Sequence, residues 1–131
     1  MHGDGRSSEG GSSTVEFSLV SVLLVGLFLL VLQVGFALHT RTVLVASAQE
    51  GARYGANADR GPDDARERTR QVVTTALSGT VADRMAYDAQ QVVRDGVLTV
   101  EVTVRGPLPL VFLPAGPLSL TVTGHALEEA R

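Results

Sequence analysis

The longest apolar pattern in the chain lies near its N-terminus. From Phe17 to Leu38, 22 consecutive residues carry no charge, and Ser18, Ser21 and Gln33 are the polar ones. As a helix this run would rise about 33 Å at ~1.5 Å per residue, which matches the ~30 Å hydrocarbon core of a bilayer. Its apolar residues occupy every face, whereas a helix on a soluble protein keeps one apolar stripe. Residues 17–38 are therefore predicted to span a membrane.

A cleaved secretory signal is the alternative for this run. The apolar region of such a signal is ~7–15 residues long and follows a positively charged leader. Here the run is longer, and the leader has one Arg against three acidic residues. The residues that follow, 39–57, continue in a helical style and show no polar mature start. We therefore expect the span to remain in the protein, after a disordered leader over residues 1–16.

The segment after the span is predicted to continue as a helix over residues 39–57. It is rich in Ala, and Gly51 and Gly55 repeat small residues at a spacing of four. One interpretation is a helix face that another element must approach closely. The other is a helix–helix contact with another subunit, because two small residues with three residues between them let two helix backbones come close together.

A second helix is predicted over residues 62–78. Pro62 suits a first helical turn, and Asp63 and Asp64 favour its N-terminal dipole end. The Arg residues of this helix alternate with acidic ones, which indicates a solvated face rather than a nucleic-acid interface.

The last third of the chain changes to the two-residue period of β-strands. Asp95-Gly96 is a two-residue hairpin turn. It predicts antiparallel pairing of strands at about 90–94 and 97–105, and a third strand follows at about 118–126. Four prolines exclude a central strand between residues 106 and 117. That apolar loop either caps the small core over the open sheet edge or exposes a patch for a partner or lipid.

Together these elements predict an α+β fold. It consists of one long N-terminal transmembrane helix that extends beyond the membrane, a short second helix and a three-stranded antiparallel sheet, with the helices covering one face of the sheet. Residues 39–131 would form a single small domain.

The composition excludes several classes of function. The chain has 131 residues, a net charge of −3 and no Cys, so thiol catalysis, disulfides and thiolate metal sites are absent. Its three His residues lie far apart and lack metal-ligand spacing. No nucleophile–base pattern or phosphate-binding loop is present. We expect neither an enzyme, a metal site, a cofactor nor nucleic acid as a partner.

The stretch "GGSSTVEFSLVSVLLVGLFLLVLQVG", together with "ASAQEGARYGA" after the span, resembles the N-terminus of TadE-like proteins, the minor pseudopilins of tight-adherence (Flp-type) pilus systems. In pilin-like precursors a prepilin peptidase cuts after a Gly on the cytoplasmic side, five residues before a Glu. The resemblance implies a cut after Gly11, with Ser12 as the new N-terminus. Glu16 and the aromatic Phe17 become the fifth and sixth mature residues.

Glu16 has two interpretations. A carboxylate carried into hydrocarbon costs ~2.5–3.5 kcal/mol on insertion scales unless it is paired. The amine of Ser12 on a neighbouring subunit would be a suitable partner and would set the axial register of the helices. Alternatively, Glu16 lies at headgroup level and simply marks the boundary of the span.

The resemblance also implies a function and a topology. The chain would be a non-enzymatic, single-pass component of a pilus assembly or secretion apparatus, and its partners would be the lipid bilayer, a prepilin-type peptidase and other pilin-like subunits. The N-terminus would be cytoplasmic and the C-terminal domain extracytoplasmic, although a count of flanking Arg residues mildly favours the reverse. The alternative is an unprocessed, signal-anchored scaffold or binding protein.

Overall fold

The chain forms one very long helix, two short helices and a three-stranded antiparallel sheet. A computed structural model describes residues 7–108 and 118–129. The elements in chain order are α1 (Ser7–Gly55), α2 (Pro62–Ala76), α3 (Gly79–Arg84), β1 (Ala86–Arg94), β2 (Val97–Pro107) and β3 (Ser119–Leu127). This layout confirms the predicted α+β fold class.

The chain divides into two compact units, residues 1–35 and 36–131. The first unit contains the N-terminal part of α1, where the large apolar side chains are almost all exposed. Phe17 is 74 % exposed and Leu23 is 72 % exposed. Among residues 10–35 only Gln33 is buried within the described part of the chain, so the apolar surface of this part of the helix is uncovered there, as expected for a segment that meets lipid.

The first helix begins earlier than the sequence indicated. We expected a leader without regular structure up to residue 16, whereas α1 begins at Ser7. No Pro interrupts this stretch, and the hydroxyls of Thr14 and Ser18 bond back to the helix itself. Thr14 Oγ1 donates to the Gly10 carbonyl at 2.9 Å, and Ser18 Oγ donates to the Thr14 carbonyl at 2.9 Å. Such bonds satisfy the side chains locally, so the polar sequence does not end the helix.

The second unit has a small core built mainly from Ala and Val. Its α1 residues recur every four positions and so lie on one helix face. The buried apolar residues are Leu44, Ala48, Ala52, Ala56, Ala65, Val73, Ala82, Met85, Val100, Val102, Val104 and Val122. Because most of these side chains are short, the elements around the core must approach each other closely.

The close approach is visible where β3 meets α1. A Cβ added to Gly124 would lie 2.5 Å from the Gln49 amide nitrogen and 2.7 Å from the Ala48 carbonyl oxygen. Only a residue without a side chain fits there. The backbone of α1 therefore lies directly against the inner face of β3 at Gly124.

The second helix ends at Ala76, two residues before the predicted end, and a third helix follows at once. We expected Gly79 to stop a helix, whereas it opens α3. Ser78 caps this short helix, since its hydroxyl accepts a hydrogen bond from the Val81 N–H at 3.2 Å. Ser78 and Gly79 thus lie at the boundary between two helices. The sequence composition alone did not show that there are two helices here.

The sheet has the predicted strand order and hairpin. β1 pairs with β2 and β2 with β3, both antiparallel. Arg94 pairs with Val97 across the turn, and Asp95 and Gly96 have φ values of 51° and 79°. Two positive φ values in a two-residue loop are those of a type I′ turn, which matches the twist of a hairpin.

The strand bounds differ from the expected ones by a few residues. β1 begins at Ala86, four residues before the predicted start, because Tyr87 and Ala89 already alternate inward. β2 continues to Pro107, and β3 covers Ser119–Leu127. Of the loop predicted over residues 106–117, positions 109–117 lie outside the described residues.

Candidate processing and assembly site

The two residues at the predicted cleavage position lie in an early turn of α1. Gly11 and Ser12 are both exposed, and a side chain added at Gly10 or Gly11 would meet no atom within 4 Å. The Thr14 hydroxyl also holds the Gly10 carbonyl, one residue before that position. The Gly11–Ser12 peptide bond is therefore open to a protein from outside but is held in a helix.

Glu16 and Phe17 lie at the start of the exposed apolar segment. Both side chains are exposed, and no side chain in the described part of the chain forms an ion pair or hydrogen bond with Glu16. Ser12 and Glu16 are four residues apart and so share one helix face. An ionised carboxylate at the edge of an apolar helix needs a partner or water, and the described residues supply neither a cation nor a donor for it.

The apolar segment that follows fits a membrane anchor. Gly10–Gly55 is long and apolar enough to cross a bilayer, and 6 % of its most apolar 18 residues are buried. A core helix of a soluble protein would be mostly buried over such a stretch. The exposed apolar surface of this anchor continues from Val15 to Leu38.

Gly51 and Gly55 both pack against α2 of the same chain. A Cβ on Gly51 would run into the Thr69 hydroxyl and lie 2.7 Å from the Ala65 carbonyl oxygen. A Cβ on Gly55 would lie 2.5 Å from the Ala65 Cβ and 2.8 Å from the Gly61 carbonyl oxygen. The spacing of the two glycines thus serves a close contact of two helices inside the second unit.

A polar cluster fixes the corner between α1 and α2. The Arg60 guanidinium lies 3.6 Å from the centre of the Tyr54 ring, and Arg68 lies 5.6 Å from it. Arg68 also pairs with Glu50 at 3.3 Å. Cation–π contacts of this kind stabilise by ~0.5–1 kcal/mol at exposed sites. Sequence reasoning missed this cluster, because its members come from two helices and a loop.

The described residues offer no metal-binding arrangement. No group of three His, Asp or Glu side chains within them could hold a metal ion. Burial raises the pKa of the Tyr87 phenol, with Arg70 lowering it and Asp83 raising it further. The phenol donates to the Ala82 carbonyl at 3.0 Å, so this tyrosine fastens β1 to α3.

Comparison with protein families connects this helix to a known group. Residues 11–53 match the family model described as TadE-like protein. No curated protein and no solved structure matches the chain. The TadE-like family is a pilus-associated structural family, and a long apolar N-terminal helix fits such a component. The match begins at Gly11, the residue before the predicted cut, and it includes Ser12, Glu16 and Phe17. Over residues 11–53 of its N-terminal helix, the chain is therefore similar to the TadE-like family.

Proposed function

We propose that this protein is a minor pseudopilin, a single-pass membrane subunit of a tight-adherence pilus or its secretion apparatus. It acts by assembly. Residues 17–38 pack beside the helices of neighbouring subunits in the bilayer, and the domain from residue 39 onward makes contacts outside the cytoplasm. The N-terminus is cytoplasmic in this proposal.

The observation that carries the proposal is the contrast within α1. Its TadE-like segment contains exposed apolar residues on all sides, from Val15 to Leu38, which the described part of the chain does not cover. In a bilayer, helices associate through packing and polar contacts rather than through the hydrophobic effect. An anchor with this surface is suited to lie among lipids and other helices.

Processing after Gly11 is part of the proposal. A prepilin peptidase would meet an exposed bond, but the bond must leave the helix before it can be cut. An early turn of a helix opens readily, because few hydrogen bonds hold it. Co-expression of the full chain with an active prepilin peptidase should give a mature protein whose intact mass corresponds to a start at Ser12.

The same experiment distinguishes the unprocessed alternative. Gly11→Val should block the cut, whereas Gly10→Val, one residue earlier and equally open, should leave it intact. An unshortened chain in the presence of a peptidase that cuts another pilin would contradict processing and favour a signal-anchored scaffold.

Glu16 is proposed to pair with the Ser12 amine of a neighbouring subunit. A charge-assisted hydrogen bond contributes ~1.5–3 kcal/mol, so Glu16→Gln should lower the yield of complexes with other pilin-like subunits about tenfold or more. Membrane insertion should be unchanged. Ser18→Ala, two residues away on the exposed helix, serves as the control. Normal recovery of complexes by the Gln variant would leave Glu16 as a marker of the membrane boundary.

A further inference from the structure

The outer edge of β3 presents a regular row of backbone groups. The Glu128 N–H donates to the Leu98 carbonyl at 2.9 Å, and the Leu108 N–H donates to the Leu118 carbonyl at 3.0 Å. Both pairs fit the register that joins Val100 to Ala126. In an antiparallel ladder, successive residues bond alternately to one side and the other. The even-numbered residues of β3 therefore bond to β2, and the odd-numbered ones point away from it.

Five residues of β3 thus carry an N–H and a C=O on the free edge. They are Ser119, Thr121, Thr123, His125 and Leu127. Within residues 7–108 and 118–129, no backbone or side-chain hydrogen bond reaches these groups. Such an edge is a template for another extended chain, because only a β-strand matches the spacing of the free groups.

The opposite edge of the sheet is protected by charge. β1 contains Asp88 and Arg94, and the Arg70–Asp83 ion pair lies beside its Tyr87. Charged residues on edge strands are a common device against unwanted pairing. β3 has no Asp, Glu, Lys, Arg or Pro over its nine residues. The two edges of one sheet are therefore built differently, and β3 is the edge that residues 7–108 and 118–129 leave open.

We propose that β3 binds an extended strand of another pilin-like subunit, which becomes the fourth strand of the sheet. This inference rests on the proposed function, because the partner is a neighbour in the same apparatus. The neighbour is held beside the chain by its own membrane helix, which raises its effective concentration at the edge.

A second copy of this chain does not fit the edge in the symmetric way. The longest two-fold pairing of β3 with itself is centred on Thr123, and it sets the two Gly124 residues diagonally across the ladder, ~7–8 Å apart. The backbone of α1 lies directly against Gly124 in each copy. The two α1 helices would then be closer than the ~8–10 Å at which helices pack. We therefore assign the partner strand to a different subunit, one without a helix over that position.

The side chains beside the edge define the chemistry of the incoming strand. On the outer face it would lie next to Thr121, Thr123 and His125, which suits polar or β-branched residues. On the inner face it would lie next to Leu120 and Val122, which suits apolar residues. An alternating strand with few charges is therefore expected, because β3 offers no opposite charge to pair with.

Hydrogen exchange on the full chain tests this inference without any variant. In detergent alone, the amides of Thr121, Thr123 and His125 should exchange fast, while those of Val122 and Ala126 stay protected. After co-purification with the other pilin-like subunits of its system, the first group should slow about tenfold or more. Fast exchange of that group in the purified complex would overturn the inference. Protection already present in the isolated chain, or protection that grows with its concentration alone, would overturn it too.

Two matched variants separate this inference from the proposed function. Thr123→Pro removes an outward N–H from β3, and Ala89→Pro removes one from β1; both sites tolerate Pro because neither N–H bonds to β2. Thr123→Pro should reduce the recovery of the complex about tenfold, whereas Ala89→Pro should not. Equal recovery of both variants overturns the β3 contact but leaves the pseudopilin function. If the unaltered chain binds none of the other subunits, the proposed function itself fails.

Discussion

The two halves of α1, which divide between residues 35 and 36, are both helical, but their side chains have different surroundings. In the first half, apolar side chains cover every face and are exposed, as Phe17 and Leu23 illustrate. In the second half, one face carries Ala48 and Ala52, which are fully buried, while the other face is polar. The described residues leave the apolar side chains of the first half uncovered, whereas α2 and the sheet cover the buried face of the second half.

Because of this difference, we expect substitutions in one half of α1 to affect assembly and substitutions in the other half to affect folding. A change in the first half should alter membrane insertion or contacts with other subunits, and leave the small domain intact. A change on the buried face of the second half should unfold the small domain and leave the anchor in place.

The largest effect is expected from a charge in the middle of the anchor. Leu27→Arg replaces a residue that favours insertion by one that costs ~2.5–3.5 kcal/mol at the centre of a membrane helix. The free energy of membrane insertion should therefore become less favourable by about 3–4 kcal/mol. The fraction of the chain that resists carbonate extraction measures this. Leu27→Ala is the control and should insert nearly normally. Loss of the sheet signal in detergent would contradict the separation of the two halves.

A somewhat smaller effect is expected at the contact between α1 and α2. Gly51→Val places a branched side chain against Thr69 and the Ala65 carbonyl, and overpacking of this kind costs about 2–3 kcal/mol. Thermal unfolding in detergent, followed by circular dichroism of the sheet, should show the loss. Gly26→Val adds the same side chain where no atom lies within 4 Å, and it should not change the melting of the domain. Equal melting of both variants would contradict the close contact.

The smallest effect concerns Tyr87 and alkaline pH. Burial raises the pKa of the Tyr87 phenol above its ordinary value of about 10, so the unfolded chain releases this proton first. The contribution of Tyr87 to stability is therefore complete below about pH 10 and declines as the pH rises through its folded pKa. Tyr87→Phe removes the hydrogen bond to Ala82, at a cost of ~0.5–1.5 kcal/mol, and should weaken the alkaline decline. An unchanged alkaline decline would rule out this tyrosine as its source.

Much of the fold could be predicted from periodicity. The uncharged run from Phe17 to Leu38 and the Asp95-Gly96 turn are strong local signals, and the structure has the long helix and the hairpin in those places. The alternation of Leu98, Val100, Val102 and Val104 predicts one face of β2; the three valines are fully buried, whereas Leu98, next to the turn, is 40 % exposed. These features depend on residues near each other in sequence.

Features that depend on distant residues could not be predicted. Gly124 reads as an interruption of a strand until the structure brings the α1 backbone against it. The two packing explanations for Gly51 and Gly55 could not be separated, because the sequence does not say which element lies opposite. Helix ends were also imprecise, since one Ser-Gly step both ends α2 and opens α3.

The site near the N-terminus was found through spacing and resemblance rather than through geometry. Gly11, Ser12, Glu16 and Phe17 are close in sequence, and their roles concern other proteins. The structure of a single chain shows that these residues are exposed and helical. Cleavage requires a peptidase, and the pairing of Glu16 requires a neighbouring subunit. The processing and register roles therefore stay predictions.

The central claim is that α1 crosses a bilayer once, with the small domain outside the cytoplasm. The chain has no Cys, so single cysteines at Ser8 and Asn57 report on the two sides without background. In intact cells that lack a prepilin peptidase, so that the leader with Ser8 stays on the chain, a membrane-impermeant maleimide should label Asn57→Cys and leave Ser8→Cys unlabelled until the membrane is opened. Labelling of Ser8→Cys but not of Asn57→Cys in intact cells would contradict the orientation, and labelling of both would contradict the span.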